Sequence, residues 1–195
     1  MVGFTDLSDS LEPEELADVV NEYLREMTAL AVADSGTLVD FAGDSVFVVY
    51  GAPAASDENV HALQALRTAV AMRARVRELA AALRARGIPA DLQIRVGINT
   101  GHCTVGVFGS DLMRAYKAIG FTVNIAARLQ SEADPGSILC GFRTYALAED
   151  LVRAVRREPL TLKGAARPVE TWEILELLEA DRAGETPLSN IGHEQ

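Results

Sequence analysis

The chain of 195 residues has few cysteines, few aromatic residues and no long apolar run. Its two cysteines, Cys103 and Cys140, form no disulfide framework, so we expect a protein of a reducing compartment, the cytoplasm. The longest purely apolar stretch, around 46–50, is far shorter than the ~18 residues that a membrane-spanning helix needs. The first six residues have neither the basic nor the apolar region of a secretory signal.

Basic residues are also in the minority, with 18 lysines and arginines against 28 acidic residues and a net charge of −10. This balance argues against bulk DNA or RNA binding, which depends on neutralising phosphates with lysine and arginine. Hydrophobic residues make up 49% of the chain, and its length fits one domain of roughly 100–200 residues. We therefore predict a folded body over residues 1–176 and a polar, frayed tail over 177–195.

Apolar residues alternate between a helical spacing of 3.6 residues and a strand spacing of two. Helices are predicted over 13–33, 57–86, 122–132 and 143–150, and strands over 37–41, 45–51, 92–100, 104–108, 137–141, 155–163 and 169–175. This interleaving favours an α/β fold with a mixed sheet and helices mainly on one face. A ferredoxin-like topology is the natural candidate.

Asp44 follows Gly43 at the turn between two β-rich runs, so its carboxylate lies at the rigid end of a predicted hairpin. A Gly-Asp pair is common at such turns for conformational reasons alone. A carboxylate held there also suits a Mg²⁺ ion that is bound jointly by substrate phosphates. The residue is therefore either a turn former or a metal ligand.

Asn124 and Arg128 are four residues apart in a predicted helix and share one face of it. An amide beside a guanidinium can orient a hydroxyl and hold a phosphate, although a polar pair on a helix is often simply solvated. Arg95 in a predicted strand and Lys163 in a predicted turn are, taken singly, ordinary surface residues. The order and spacing of these residues together are more informative than any one of them.

Together, five motifs closely resemble those of the class III nucleotide cyclases, the adenylate and guanylate cyclase catalytic domains. The motifs are Gly-Phe-Thr at 3–5, Phe-Ala-Gly-Asp at 41–44, Arg-Val-Gly-Ile-Asn-Thr-Gly at 95–101, Thr-Val-Asn-Ile-Ala-Ala-Arg at 122–128 and Leu-Lys-Gly at 162–164. The resemblance extends from residue 1 to about residue 176. It implies a ferredoxin-like catalytic domain that works as a head-to-tail homodimer in intracellular signal transduction, with an upstream sensor domain as a further partner.

The reaction implied by the resemblance is attack of the ribose 3′-oxygen on the α-phosphorus of ATP or GTP, which gives cAMP or cGMP and pyrophosphate. Asp44 matches the second of two aspartates that hold two Mg²⁺ or Mn²⁺ ions. Asn124 and Arg128 match the residues that position the ribose and stabilise charge in the transition state. The residues that match triphosphate contacts are Phe4, Thr5, Arg95 and Lys163.

The chain departs from the family pattern at its start. The first metal aspartate of the family would fall one position before Met1, and the first strand of the sheet would precede it. We therefore expect the first strand to be missing, the domain to be truncated or mis-started, and activity to be weak or absent. The alternative to a cyclase is a degenerate domain that binds nucleotide or a partner as a regulator without turnover.

The base-selecting positions also differ. Asp40 stands where adenylate-forming members usually have lysine, and Lys117 where they have aspartate or threonine, while Phe121 replaces an acidic or amide residue. The exchanged pair still offers adenine one donor and one acceptor. It equally suits guanine, with Asp40 accepting from N1–H and the amino group and Lys117 donating to O6. A mutual ion pair without base contact is the third reading. Because ATP is the more frequent substrate among members of this family, we expect ATP, with GTP as the alternative.

Overall fold

The structure is a computed structural model that describes residues 1–161 and 167–178. The predictions for Lys163 and for most of the tail fall outside these residues. The helices are α1 (Phe4–Ser10), α2 (Pro13–Ala33), α3 (Glu58–Ala85), α4 (Phe121–Glu132) and α5 (Phe142–Ala146). The strands are β1 (Thr37–Ala42), β2 (Ser45–Val49), β3 (Val96–Ile98), β4 (Thr104–Gly109), β5 (Arg114–Ile119), β6 (Ile138–Gly141), β7 (Val152–Leu160) and β8 (Val169–Leu177).

Four strands form a mixed sheet in the order β3-β6-β8-β7. The pair β3 and β6 is parallel, whereas β6 with β8 and β8 with β7 are antiparallel. Two separate antiparallel hairpins consist of β1 with β2 and of β4 with β5. The predicted α/β fold with a mixed sheet is confirmed.

Helix α2 forms where the sequence places a single apolar stripe. Val19, Tyr23, Met27 and Ala31 follow one another at intervals of four residues and are all buried, because that interval brings side chains to one face of a helix. Pro13 begins the helix, where its missing N–H costs nothing. The stripe packs against α3, and the predicted bounds of this helix are confirmed.

The sheet is covered on both faces, most heavily on one. Ile138 and Cys140 of β6 are fully buried in a cluster with Leu66 of α3. Leu139 lies between them, points to the other face and packs against Leu129 of α4. Helix α5 shares the α3 face, where Tyr145 stacks on Trp172 of β8 with ring centroids 4.9 Å apart.

Gly97 allows α4 to approach the sheet. A Cβ at this position would lie 2.2 Å from both the Ala126 carbonyl oxygen and the Gln130 nitrogen, which are backbone atoms of α4. Any side chain would therefore push the helix away from β3. The close contact fixes the position of α4 and of the two predicted catalytic residues on it.

Several predicted boundaries were wrong. Strand β5 was not predicted, and the strand predicted over 92–100 is confined to Val96–Ile98. The helix predicted over 143–150 is divided into α5 and a 3₁₀ turn, Glu149–Leu151. Before α1, the described residues contain one isolated β-bridge, between Val2 and Gln93, and no strand. Across 1–161 and 167–178, no helix is both long and apolar enough to cross a membrane.

Candidate active site

A cavity of about 440 Å³ is bordered by β2 and β3 and by facing residues of α3 and α4. Three of the predicted site residues line it: Asp40, Asp44 and Arg95. The hairpin of β1 and β2 supplies the two carboxylates, and the segment that leads into β3 supplies the guanidinium. Acidic and basic groups therefore meet in one cavity, although they are separated by about fifty residues of sequence.

Asp44 lies directly after Gly43, whose φ of 60° forms the hairpin turn. Its side chain is 22% exposed and accepts a hydrogen bond from the Met1 ammonium group. Burial, and to a smaller extent the negative charge of Asp44, raise the pKa of Tyr23 above its ordinary value. The carboxylate thus lies at the cavity beside the Met1 ammonium group and is not enclosed by apolar side chains.

Asp40 and Lys117 are brought together across two hairpins. The Lys117 ammonium donates a hydrogen bond to the Asp40 carboxylate, and this bond lowers the pKa of Asp40. The two side chains are 48% and 35% exposed, so a nucleotide base has access to them. Of the three readings of these positions, the mutual ion pair is the arrangement in the structure.

Arg95 carries an unsatisfied donor. Its Nε is buried and has no hydrogen-bond partner among the described residues. Leaving a buried N–H without an acceptor costs about 1–3 kcal/mol, and more for a charged group. An anionic oxygen of a bound ligand would remove this cost, which favours a phosphate-binding role for Arg95.

Asn124 and Arg128 lie on the exposed face of α4 and do not line the cavity. One chain therefore does not bring them together with Asp44. Phe4 and Thr5, in the first turn of α1, are also absent from the cavity lining. Of the described predicted residues, three line the cavity, Lys117 is paired with one of them, and Asn124 and Arg128 lie on the outer surface of the protein.

Two further polar side chains on the cavity were not singled out as site residues from the sequence. The Tyr50 hydroxyl and His61 Nδ1 are buried without hydrogen-bond partners among the described residues. Burial is the main reason that the pKa of Tyr50 is raised to about 12. His61 is a lone histidine in α3, and such a residue carries no local signal of a site in the sequence.

The described residues fit one divalent cation better than two. They contain no group of three or more His, Cys, Asp or Glu side chains that could hold a metal ion. A Mg²⁺ ion is commonly bound by one or two carboxylates together with substrate phosphates, and Asp44 can provide one of them. The other carboxylate on the cavity, Asp40, is paired with Lys117. Asp44 itself is paired with the Met1 ammonium group, so a first ion would have to displace that partner, and a second ion has no further carboxylate in the described lining.

Comparisons with known proteins agree with the motifs. The sequence profile of the adenylate and guanylate cyclase catalytic domain matches residues 1–176. Adenylate cyclase 1 of Rhizobium meliloti is 34% identical over 179 residues, which are 91% of this chain and 26% of that protein. This chain thus spans about a quarter of the length of that relative.

Solved structures give the same result. The adenylyl cyclase CyaB from P. aeruginosa has a TM-score of 0.87 and 40% identity, over 90% of this chain and 89% of that chain. The guanylyl cyclase Cya2 has a TM-score of 0.82 and 32% identity, over 93% of this chain and 91% of that chain. The resemblance inferred from the motifs is confirmed, and the chain belongs to the family of adenylate and guanylate cyclase catalytic domains.

Proposed function

We propose that the chain is a class III nucleotide cyclase that converts ATP into cAMP and pyrophosphate in cytoplasmic signalling. The observation that carries the proposal is the separation of its site residues into two groups. Asp44 and Arg95 line a cavity, whereas Asn124 and Arg128 project from the outer face of α4. Two copies related by a twofold axis would place the second group of each chain over the cavity of the other.

Exposed apolar residues on the β4–β5 hairpin support a homodimer. Val107, Leu112 and Met113 are 67%, 98% and 76% exposed. Large exposed apolar side chains that cluster on one element commonly mark a protein–protein interface. The same hairpin carries Lys117, so an interface here would lie beside the proposed base site.

Each residue has a distinct proposed task in the reaction. Arg95 binds a phosphate oxygen with its unsatisfied Nε–H, and Phe4 and Thr5 supply backbone groups for the same triphosphate. From the partner chain, the Asn124 amide orients the ribose and the Arg128 guanidinium lies where charge develops on the α-phosphate. One such donor is worth about 10²–10³ in rate. A divalent cation at Asp44, when bound, would neutralise phosphate charge and lower the pKa of the 3′-hydroxyl.

For the base, we propose that adenine binds between Asp40 and Lys117 in place of their ion pair. Asp40 would accept from the adenine amino group and Lys117 would donate to N1. The similarity to two adenylate-forming cyclases supports ATP. Guanine is the alternative. In that case Asp40 would accept from N1–H and the amino group, and Lys117 would donate to O6.

A charge-exchange experiment tests the choice of base. The double variant Asp40→Lys with Lys117→Asp keeps one donor and one acceptor, so we expect it to retain turnover of ATP. Each single variant places two like charges together and should lower kcat/KM by about tenfold or more, since one good base contact is worth 1–3 kcal/mol. Steady-state pyrophosphate release, with ATP and with GTP as substrates, measures kcat/KM of the double variant and of each single variant. If the wild type turns over GTP and the double variant does not, these two positions recognise guanine instead of adenine.

Complementation between chains tests the cyclase and its composite site. Asp44→Ala and Asn124→Ala should each lose activity about a hundredfold or more. In an equal mixture, half of the dimers are mixed, and each of these has one intact site. Pyrophosphate release should therefore return to about a quarter of the wild-type rate.

A matched mixture provides the control. Asn124→Ala with Arg128→Ala cannot recover, because both changes lie on the same side of the composite site and each site keeps one defect. Equal behaviour of the two mixtures would show that the site is not shared between chains.

A degenerate regulator is the second candidate function. The observation that favours it is that both carboxylates in the described cavity lining are ion-paired, Asp44 with the Met1 ammonium group and Asp40 with Lys117, whereas a pair of metal ions would need free ones. This candidate predicts saturable binding of ATP or GTP with no pyrophosphate release in Mg²⁺ or Mn²⁺. Measurable metal-dependent turnover by the wild-type chain would refute it.

A further inference from the structure

Phe121 is an exposed aromatic residue that the proposed reaction does not use. It is the first residue of α4 and is 46% exposed. An apolar ring at this position does little for the helix, because it offers neither a side-chain oxygen that caps the first N–H groups nor a negative charge for the positive end of the helix dipole. A single exposed apolar side chain is ordinary, so the neighbours of Phe121 decide whether it has a role.

Phe121 lies on the same face of α4 as the two predicted catalytic residues. Phe121, Asn124 and Arg128 are separated by three and four residues, the spacings that bring side chains to one face of a helix, and all three are exposed. At a rise of about 1.5 Å per residue, the ring precedes the amide by about 4.5 Å along the helix, and the amide precedes the guanidinium by about 6 Å. From Arg128 to Phe121, this face offers a phosphate-binding group, a ribose-orienting group and an aromatic ring. The same order, phosphate, ribose and base, is that of a nucleotide.

The aromatic end of this face adjoins the proposed base site. Strand β5 ends at Ile119, two residues before Phe121. Lys117 and Ile119 lie on one face of β5, opposite the buried Ala118, because side chains alternate along a strand. Lys117 donates to Asp40, and Ile119 follows it as an exposed side chain. The donor and the acceptor proposed for the edge of the base are therefore followed by two exposed apolar side chains.

A site for a base needs contacts with its faces as well as with its edge. Proteins that hold an unstacked base form hydrogen bonds to its Watson–Crick edge and hold its plane against aromatic or apolar side chains. Asp40 and Lys117 can supply only the hydrogen bonds. An aromatic ring supplies the contact with the plane, and it does so for every base, because each has a π-face.

Phe142 provides a comparison within the same chain. It also follows a glycine, begins a helix and is 55% exposed. Its ring centroid lies 5.3 Å from that of Trp172, so the ring already has an aromatic neighbour. In the described part of the chain, Phe121 has no such neighbour. The two residues therefore match in position and exposure and differ in whether the ring is already in contact with another ring.

We propose that Phe121 contacts the face of the purine whose edge is bound by Asp40 and Lys117, an inference that rests on the proposed function of this site. One face of α4 then holds the base, the ribose and the α-phosphate. Because stacking does not depend on donors and acceptors, Phe121 adds affinity for adenine and guanine alike, and the choice between them stays with residues 40 and 117. The ring stands where the family pattern has an acidic or amide side chain, so this contact is particular to chains with an aromatic residue here.

Equilibrium binding of ligands that cannot react tests the contact. 3′-Deoxy-ATP and 3′-deoxy-GTP lack the attacking hydroxyl, and inorganic tripolyphosphate lacks the base. In the presence of Mg²⁺, Phe121→Leu should raise the Kd of both nucleotides by about tenfold and leave that of tripolyphosphate unchanged, because leucine is apolar but has no ring that stacks on a base. Phe121→Tyr should keep the wild-type values. The matched control, Phe142→Leu, should bind all three ligands as the wild type does.

The outcomes distinguish a failure of this contact from a failure of the proposed function. Equal losses for tripolyphosphate and for the nucleotides would show that Phe121 acts through the fold or the dimer, and would overturn the contact. Wild-type Kd values in Phe121→Leu would overturn it too, and would leave the cyclase to the complementation test. Nucleotide binding by the wild type without pyrophosphate release would refute the cyclase and leave the contact to the Kd values. Absence of nucleotide binding by the wild type would overturn both.

Tryptophan fluorescence gives an independent test. Phe121→Trp places an indole against the expected base, and Phe142→Trp places one at the matched position; the wild type, with Trp172 alone, gives the baseline. Binding of 3′-deoxy-ATP should quench the added emission of Phe121→Trp and leave that of Phe142→Trp unchanged, and tripolyphosphate should quench neither. Equal responses of the two variants to the nucleotide would refute the contact.

Discussion

Replacing Gly97 by alanine should displace α4 and thereby affect both stability and activity. The added Cβ would lie 2.2 Å from two backbone atoms of α4, in Ala126 and Gln130, whereas an ordinary contact starts at 3.4 Å. Helix or strand must then move by about 1 Å, because the interior has no free space to absorb the atom. Neither clashing atom belongs to a flexible side chain that could rotate away.

Gly97→Ala should have two measurable effects, one on the free energy of unfolding and one on the rate of the reaction. Overpacking of this kind costs about 1–3 kcal/mol, which is measurable as a lower urea midpoint with an unchanged slope. Asn124 and Arg128 travel with the helix, and a misplacement of about 1 Å in a positioning group can cost a hundredfold in rate. We therefore expect kcat/KM for pyrophosphate release to fall by about a hundredfold in protein that is still folded.

Gly106→Ala is the matched control. A Cβ at Gly106 would meet only the ring edge of Phe108, at 4.0 Å, and the backbone there has no positive φ. This variant should be neutral or slightly stabilised, because alanine loses less entropy than glycine on folding. Equal urea midpoints for the variants at 97 and 106 would refute the close approach of α4 to β3.

Two other predictions concern the core. Leu129→Ala should lower the free energy of unfolding, measured with urea, by about 2–5 kcal/mol, because Leu129 is fully buried between α4 and β6. Val32→Ala, at an exposed site, should change the same free energy by less than about 0.5 kcal/mol. Burial raises the pKa of the Cys140 thiol to about 12 from an ordinary value of 9.0. The thiol of the unfolded chain therefore ionises at a lower pH than the thiol of the folded chain. The free energy of unfolding of the wild type should fall as pH rises from 9 towards 12, and more steeply than that of Cys140→Ala. Parallel pH profiles of the two proteins would contradict this.

Some elements could be predicted because their signals are local. The stripe of Val19, Tyr23, Met27 and Ala31 depends only on a spacing of four residues, and it predicted α2 with its observed bounds. The turn at Gly43 likewise placed Asp44 at the end of a hairpin, where the structure has it. The family was predicted from motifs whose residue types and order do not depend on packing.

Other elements could not be predicted because their cause is a partner distant in sequence. Strand β5 reads Arg-Ala-Tyr-Lys-Ala-Ile and has no strong apolar alternation; it forms because β4 pairs with it over all six residues. The buried polar atoms of Tyr50 and His61 are similar cases, since the cavity that encloses them is built from β2, β3, α3 and α4 together.

By itself, the sequence determined the types of the main elements, the family and the chemical identity of the candidate site residues, because periodicity and motif order are written along the chain. Only the tertiary structure decided which of these residues meet. It joined Asp40 to Lys117, grouped Asp44 with Arg95 at one cavity, and left Asn124 and Arg128 on an outer face. The physical reason is that packing between distant segments sets such distances, and no local preference encodes them.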